Sequence, residues 1–323
     1  MRAMVVGERG LELRDLPAPR PGPGEVLVRV RAAGLNRAEL GMAAGHAHGA
    51  LGGKGAVIGL EWAGEVAGVG AGVPGVREGD RVMCSGSGGY AEYAVTDWGR
   101  VHPVPANNMG WEQAATLPIA LQTMHDAIVT NGQFQKGQAV LIQGASSGVG
   151  LMGLQIARFL GARLVAGSST DARRRARLAE FGADLAVDSG DPAWPAAVLA
   201  ATGGAGVDLV VDQVSGPVAR GNLLATRVLG RIVNVGRLGG SRGEFDFDLH
   251  AMRRIAYVGV TFRTRSLEEV REINRRMRED LWDAVQAGTL ALPIDRVFPL
   301  EQANEAQAHM RANAHLGKIV LAV

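Results

Sequence analysis

The chain has 323 residues, enough for two domains at roughly 100–200 residues each. It carries 34 Lys+Arg against 32 Asp+Glu, a net charge of +2, and the densest like-charge run is Arg173–Arg177, broken by Ala176. That balance argues against a nucleic-acid groove, which needs clustered cations, and the 47% hydrophobic content excludes disorder. A lone cysteine, Cys84, excludes an intramolecular disulfide and any zinc site built from several thiolates. The N-terminal MRAMVVGERG lacks the apolar run of a signal peptide. Segment 139–157 is uncharged but carries Gln143 and Gln155, so it reads as strand, loop and helix rather than a membrane span. A cytoplasmic protein, with no membrane or nucleic-acid partner, is expected.

The first hundred residues read as β-rich. Short apolar stretches at 3–6, 26–34, 64–70 and 80–86 sit between turn signals, and 88–95 alternates apolar with polar. A Pro/Gly connector, 17–25, feeds the second of these stretches. From 111 to 131 the spacing is helical. After that, apolar strands at 139–144, 163–167, 185–188, 207–212, 231–236 and 255–262 alternate with helices at 150–162, 171–182, 192–202 and 217–228. Strands alternating with helices predict βαβ units and a doubly wound parallel sheet. A charged helix at 266–287, a helix at 301–313 and an apolar strand at 317–323 follow. The last strand needs a sheet, and the β-rich N-terminal region is its expected host.

Residues 144–153 read GASSGVGLMG. Gly148, Gly150 and Gly153 fit G-x-G-x-x-G directly after a strand and at the opening of a helix, the context that a dinucleotide-binding loop requires. Glycines permit the tight turn and a close approach of pyrophosphate, and the helix N-terminus offers free N–H groups. The same loop resembles that of short-chain dehydrogenases, but their downstream Tyr-x-x-x-Lys is missing: Tyr257 is followed at 261 by threonine. NAD enzymes place an acid about 20 residues beyond the loop. Here stand Ser168 and Ser169, then Asp171 and Arg173. Small hydroxyls with an arginine suit the 2′-phosphate of NADPH, and Asp171 fits a helix N-cap.

Taken together, AAGLNRAEL (32–40), IGLEWAGEVAGVG (58–70), GDRVMCSGSGGYAEYAV (79–95), QGASSGVGLMGLQIA (143–157), GVDLVVDQVSG (206–216), GRIVNVGRLGG (230–240) and GKIVL (317–321) resemble the medium-chain dehydrogenase/reductase superfamily, in its zinc-free quinone oxidoreductase (ζ-crystallin-like) branch. The resemblance spans nearly the whole chain. It implies an α/β protein with a GroES-like β-rich catalytic domain (1–116 and 266–323) and a Rossmann NADPH-binding domain (117–265), assembled as a homodimer through strand 255–262.

Zinc-dependent members place a cysteine where this chain has Asn36, a histidine where it has Leu60 and a third ligand near Ile119. None of these residues can hold zinc, so no metal is expected. Without a Lewis acid, the reaction implied is NADPH-dependent reduction of an electron-poor quinone or enone. Alternatives are an enoyl-thioester reductase of the same superfamily, or a non-catalytic NADPH-binding protein of the crystallin type.

Carried over residue by residue, the resemblance places the pyrophosphate against Ser146, Ser147, Gly148 and Val149, and phosphate recognition at Ser168, Ser169 and Arg173. It places Val214, Gly236, Arg237 and Leu238 around adenosine and nicotinamide, Phe262, Arg263, Thr264 and Asn313 on the nicotinamide side, and Asn36 and Thr123 near its ring. Relatives carry tyrosines where Gly41, Ala47 and Ser189 stand. The loop 42–55 offers His46 and His48 as candidate proton donors instead.

Overall fold

A computed structural model describes residues 1–8, 10–49 and 51–323. The chain divides into two units, Met1–Ile119 with Phe262–Val323, and Ala120–Thr261.

In the first unit, alternation along Glu25–Gly34 puts Val26, Val28 and Val30 into the core while Arg29 faces out, as period-two patterning requires. This strand pairs antiparallel with Glu61–Val69 and with Tyr93–Asp97. Arg81–Ser85 and Val101–Pro103 extend the sheet beyond Glu61–Val69. The C-terminal strand Lys318–Ala322 joins the other side of Glu25–Gly34, with Val320 opposite Gly34, so the N-terminal region hosts it as expected. Ile294–Pro299 lies parallel to it at the edge, a strand that sequence patterning missed. Trp62, Ile58, Tyr90 and Leu321 fill the core.

The second unit is built on six parallel strands. They lie in the spatial order Leu185–Val187, Leu164–Ser168, Ala139–Gln143, Val207–Asp212, Thr226–Asn234, Ala256–Gly259. In chain order this is third, second, first, fourth, fifth, sixth: the doubly wound arrangement of a dinucleotide-binding domain. Ala139–Gln143 and Val207–Asp212 are buried throughout, which explains why both are mostly apolar, Asp208 being the one interior polar residue.

Several boundaries differ from the sequence reading. The basic helix at 171–182 is two pieces, Ala172–Ala176 and a 3₁₀ turn Leu178–Phe181, closed by Gly182 at φ 96°. Strand 255–262 shortens to Ala256–Gly259, because pairing with its neighbour ends at Asn234↔Gly259. Helix Phe247–Arg253, capped by Asp246, was not expected; no buried stripe marks it in the sequence. Among the described residues no helix is long and apolar enough to cross a membrane.

Candidate functional site

In the second unit the glycine loop follows strand Ala139–Gln143 and opens helix Gly148–Phe159. Ser147 caps that helix, its Oγ accepting from Gly150 N at 3.0 Å. A Cβ at Gly150 would lie 2.5 Å from the Gly144 carbonyl oxygen, and one at Gly153 would lie 2.9 Å from Met124 Sδ. Gly150 thus lets the turn close on itself, and Gly153 lets the helix approach the segment carrying Met124. Ser147 and Val149 stay half-exposed while Ser146 and Gly148 are buried. Gly144 lies beside Val214 and Leu238: its Cβ would stand 3.3 Å from Val214 Cγ2 and 3.8 Å from Leu238 Cδ1. Gly236 follows the same strand ends, donating to the Asp212 carbonyl, and Arg237 is exposed.

Behind this loop runs a chain of buried polar groups. Gly144 N donates to Ser168 Oγ at 3.0 Å, and Ser168 Oγ donates to Gln143 Oε1 at 2.5 Å. Gln143 Nε2 donates to Asn222 Oδ1 at 2.8 Å, and Asn222 Nδ2 to Asp212 Oδ2 at 3.0 Å. Asp212 Oδ1 then accepts the N–H groups of Val214 and Ser215. Burial raises the Asp212 pKa above its ordinary value, against those hydrogen bonds. The chain ties the carboxyl ends of three strands to the loops that follow them.

Ser168, expected to meet a phosphate, lies beneath the glycine loop. It is 0% exposed, and its hydroxyl is engaged as donor and acceptor, bracing the loop. Ser169 is also buried and shares a hydrogen bond with Ser146 Oγ at 3.0 Å. Arg173 is exposed, whereas Arg175 is engaged with Asp188 and the Ser169 carbonyl. Asp171 is the helix N-cap, accepting from Arg174 N. Thr123 sits half-buried on helix Pro118–His125.

In the first unit Asn36 lies in a sealed polar cluster. Its Nδ2 donates to Glu61 Oε1 at 2.9 Å, and its Oδ1 accepts from Lys318 Nζ at 3.0 Å. Lys318 also donates to the Leu35 carbonyl at 2.7 Å and to Glu61 Oε1. Glu61 Oε2 accepts from Ile119 N at 2.9 Å. A second carboxylate, Glu39, accepts from Asn36 N, Leu60 N and the Tyr90 phenol. Burial lifts its pKa to about 7 in spite of these donors. Sequence reasoning missed Glu39 and Lys318. A lysine heading an apolar strand, in a chain with only two others, is the signal that points to Lys318.

His46 is exposed, and His48 is half-buried on the short strand Ala47–His48. Desolvation, and then the charge of Arg263, hold the His48 pKa below its ordinary value. Segment 262–264 reaches this loop: a Cβ at Gly49 would lie 2.9 Å from the Arg263 carbonyl oxygen. Phe262 is half-buried, and Arg263 and Thr264 are exposed. Asn313, at φ 54°, accepts from Arg37 at 2.9 Å.

The donor set at the family's zinc positions does not fit a metal. Leu60 offers no side-chain donor, Ile119 contributes only a backbone N–H to Glu61, and the Lys318 ammonium already lies against Asn36 and Glu61. Among the described residues no group of three or more His, Cys, Asp or Glu side chains is placed to hold an ion. Cys84 is buried, and burial pushes its thiol pKa far up, consistent with a core role.

The chain combines a six-stranded doubly wound unit carrying a glycine loop with a β-rich unit, the two-domain architecture of NAD(P)-dependent oxidoreductases. Residues 22–106 match the alcohol dehydrogenase GroES-like domain model, and residues 181–321 the zinc-binding dehydrogenase model. An alcohol dehydrogenase superfamily protein from Novosphingobium aromaticivorans is 31% identical, with TM-score 0.89, over 100% of this chain and 99% of its own. A mycobacterial quinone oxidoreductase, and a mycobacterial protein complexed with NADPH, are each 27% identical with TM-score 0.88 over 100% of both chains. A polyketide synthase of Streptomyces halstedii is 33% identical over 305 residues, 93% of this chain but 5% of the synthase. The chain spans only 5–15% of the length of the curated relatives it matches. The chain belongs to the medium-chain dehydrogenase/reductase superfamily.

Proposed function

We propose that the protein is a zinc-independent, NADPH-dependent reductase that delivers hydride to a quinone or an α,β-unsaturated carbonyl compound, acting as a cytoplasmic homodimer. The observation that carries this reading is the buried triangle of Asn36, Glu61 and Lys318. Where zinc relatives keep ligands this chain has the Asn36 amide, Leu60 and Ile119, and the Lys318 ammonium lies against Asn36, so the site is read as having no Lewis acid with which to activate an alcohol. An acceptor already electron-poor at carbon needs none. NADPH supplies the hydride. Ser147, Gly148 and Val149 offer the helix N-terminus to its pyrophosphate, and Arg173 offers an exposed guanidinium to its 2′-phosphate. The absence of a carboxylate at Ser168 removes the group that would repel that phosphate.

A second reading, an enoyl-thioester reductase, is favoured by the 33% identity to a polyketide synthase across 93% of this chain. The experiment mixes protein, NADPH and a panel of quinones, simple enones and enoyl thioesters, and follows the absorbance of reduced nicotinamide. Turnover of quinones or enones supports the proposal. Turnover of thioesters alone favours the second reading. NADPH binding with no turnover makes the protein a binder.

A further inference from the structure

The side-chain amide of Asn36 has a determined orientation. Oxygen and nitrogen of an amide are told apart by their partners. Lys318 Nζ can only donate, so the atom 3.0 Å from it is Oδ1. Glu61 Oε1 accepts from Lys318 and lies 2.9 Å from the other amide atom, which is therefore the donor Nδ2. Two buried groups of opposite character therefore hold the amide from both ends.

Three acceptors surround the Lys318 ammonium: the Leu35 carbonyl, Asn36 Oδ1 and Glu61 Oε1. Its three protons match them, and the residue is 4% exposed. Lys318 has no proton left for a substrate. Asn36 differs. One amide N–H meets Glu61, and the other has only the Gly34 carbonyl at 3.5 Å, beyond the 2.7–3.2 Å of a well-formed hydrogen bond. Asn36 keeps 8% of its surface open.

We propose that Lys318 is a positioning residue: by holding Asn36 Oδ1, it leaves Asn36 with an N–H donor, and never a carbonyl, for the oxygen of the acceptor. The inference rests on the reductase reading above and deepens it, because a fixed donor selects acceptors whose oxygen gains charge. In an enone, the β-carbon gains hydride from NADPH, which leaves as NADP⁺. The C=C π pair shifts toward the carbonyl carbon, and the carbonyl π pair moves onto oxygen as an enolate held by the Asn36 N–H. Water then returns a proton to the α-carbon. A flipped amide would face that oxygen with its own lone pairs.

The test pairs a spectroscopic readout with kinetics. Side-chain amide protons of Asn36, assigned by their loss in Asn36→Ser, are followed by ¹⁵N-resolved NMR in the wild-type protein. A held amide gives two separate lines that exchange slowly with solvent; exchange as fast as that of an exposed asparagine overturns the proposal. Lys318→Met alone strands the Glu61 carboxylate, so the variant for kinetics is Lys318→Met with Glu61→Gln, which removes both charges together. Enone kcat should fall about 10- to 100-fold, with KM for NADPH unchanged and the Asn36 lines moved toward fast exchange. The same pair of changes in an Asn36→Ser background should cost nothing further. Wild-type kcat in the double variant, or losses that multiply, overturn the proposal. If the wild type reduces no acceptor, the reductase reading fails, and the amide exchange still decides whether Asn36 is held.

Discussion

The Tyr90 phenol donates to the Glu39 carboxylate at 2.5 Å, and both side chains are sealed from solvent. Burial is the largest influence on Glu39 and places its pKa at about 7. The native state therefore holds a proton that the unfolded state releases near the ordinary carboxylate pKa. Where the unfolded state binds fewer protons, stability falls as pH rises. Glu39 should contribute fully at pH 4.5 and below and lose its contribution progressively up to about pH 7, by roughly 3 kcal/mol in all. Glu39→Gln cannot titrate. Denaturant unfolding of both proteins at pH 5 and pH 8 should show the wild-type advantage shrinking at the higher pH; a constant difference would remove Glu39 as the cause.

The proposed preference for NADPH is tested at Arg173. Ser168 and Ser169 are turned inward, and Arg175 is engaged with Asp188, which leaves Arg173 exposed at the end of the second strand of the sheet. Arg173→Ala should lower kcat/KM for NADPH by ~1–3 kcal/mol, the scale of one charge-assisted hydrogen bond, and leave NADH nearly unchanged. Parallel losses with the two cofactors would transfer the role elsewhere.

The periodic parts of this architecture are legible in sequence. Mostly apolar runs mark Ala139–Gln143 and Val207–Asp212, and alternation marks Glu25–Gly34, because burial on two faces or one leaves a direct trace. The glycine loop was legible because Gly150 and Gly153 have steric reasons to be glycine. The polar clusters were not. Glu39 and Tyr90 are 51 residues apart, and Gln143 and Asn222 are 79 apart. No local pattern links such pairs. The hydrogen bond from Ser168 to Gln143, 25 residues away, is hidden in the same way.

The sheet of the second unit ends in Ala256–Gly259, an edge with unpaired backbone groups. Near it in the chain Leu229, Phe247 and Met252 are 63%, 76% and 68% exposed, high for large apolar side chains. A two-fold partner would cover them. Sedimentation at micromolar concentration should give about twice 33.8 kDa, and Phe247→Asp should shift the protein toward monomer. A wild-type monomer would refute the homodimer.

The candidate proton donors His46 and His48 are tested by the pH dependence of the reaction. Partial burial and Arg263 hold His48 below its ordinary value of 6.5. A proton-donating His48 would make enone reduction decline as pH rises through a midpoint below 6.5, and His48→Ala would erase that decline while His46→Ala preserved it. Quinone reduction should respond less, since a hydroquinone anion carries its charge more readily than an enolate. Identical profiles for the wild type and both variants would assign the proton to solvent.

Gly41 tests the acceptor pocket. It lies on helix Ala38–Ala43, five residues beyond Asn36, where relatives carry a tyrosine. A Cβ added there meets no atom within 4 Å, so a side chain can leave the helix without moving the backbone. Glycine within a helix costs about 0.5–1 kcal/mol relative to alanine, so Gly41→Tyr should fold at least as stably as the wild type. If Gly41 keeps the pocket wide, the new phenol takes up acceptor space. Bulky, branched enones and quinones should then lose kcat/KM by about tenfold or more, while small ones such as a simple cyclic enone are little affected. Thermal unfolding measured beside the acceptor panel separates the two effects. Equal losses for large and small acceptors, with stability unchanged, would mean that Gly41 does not set the size of the pocket.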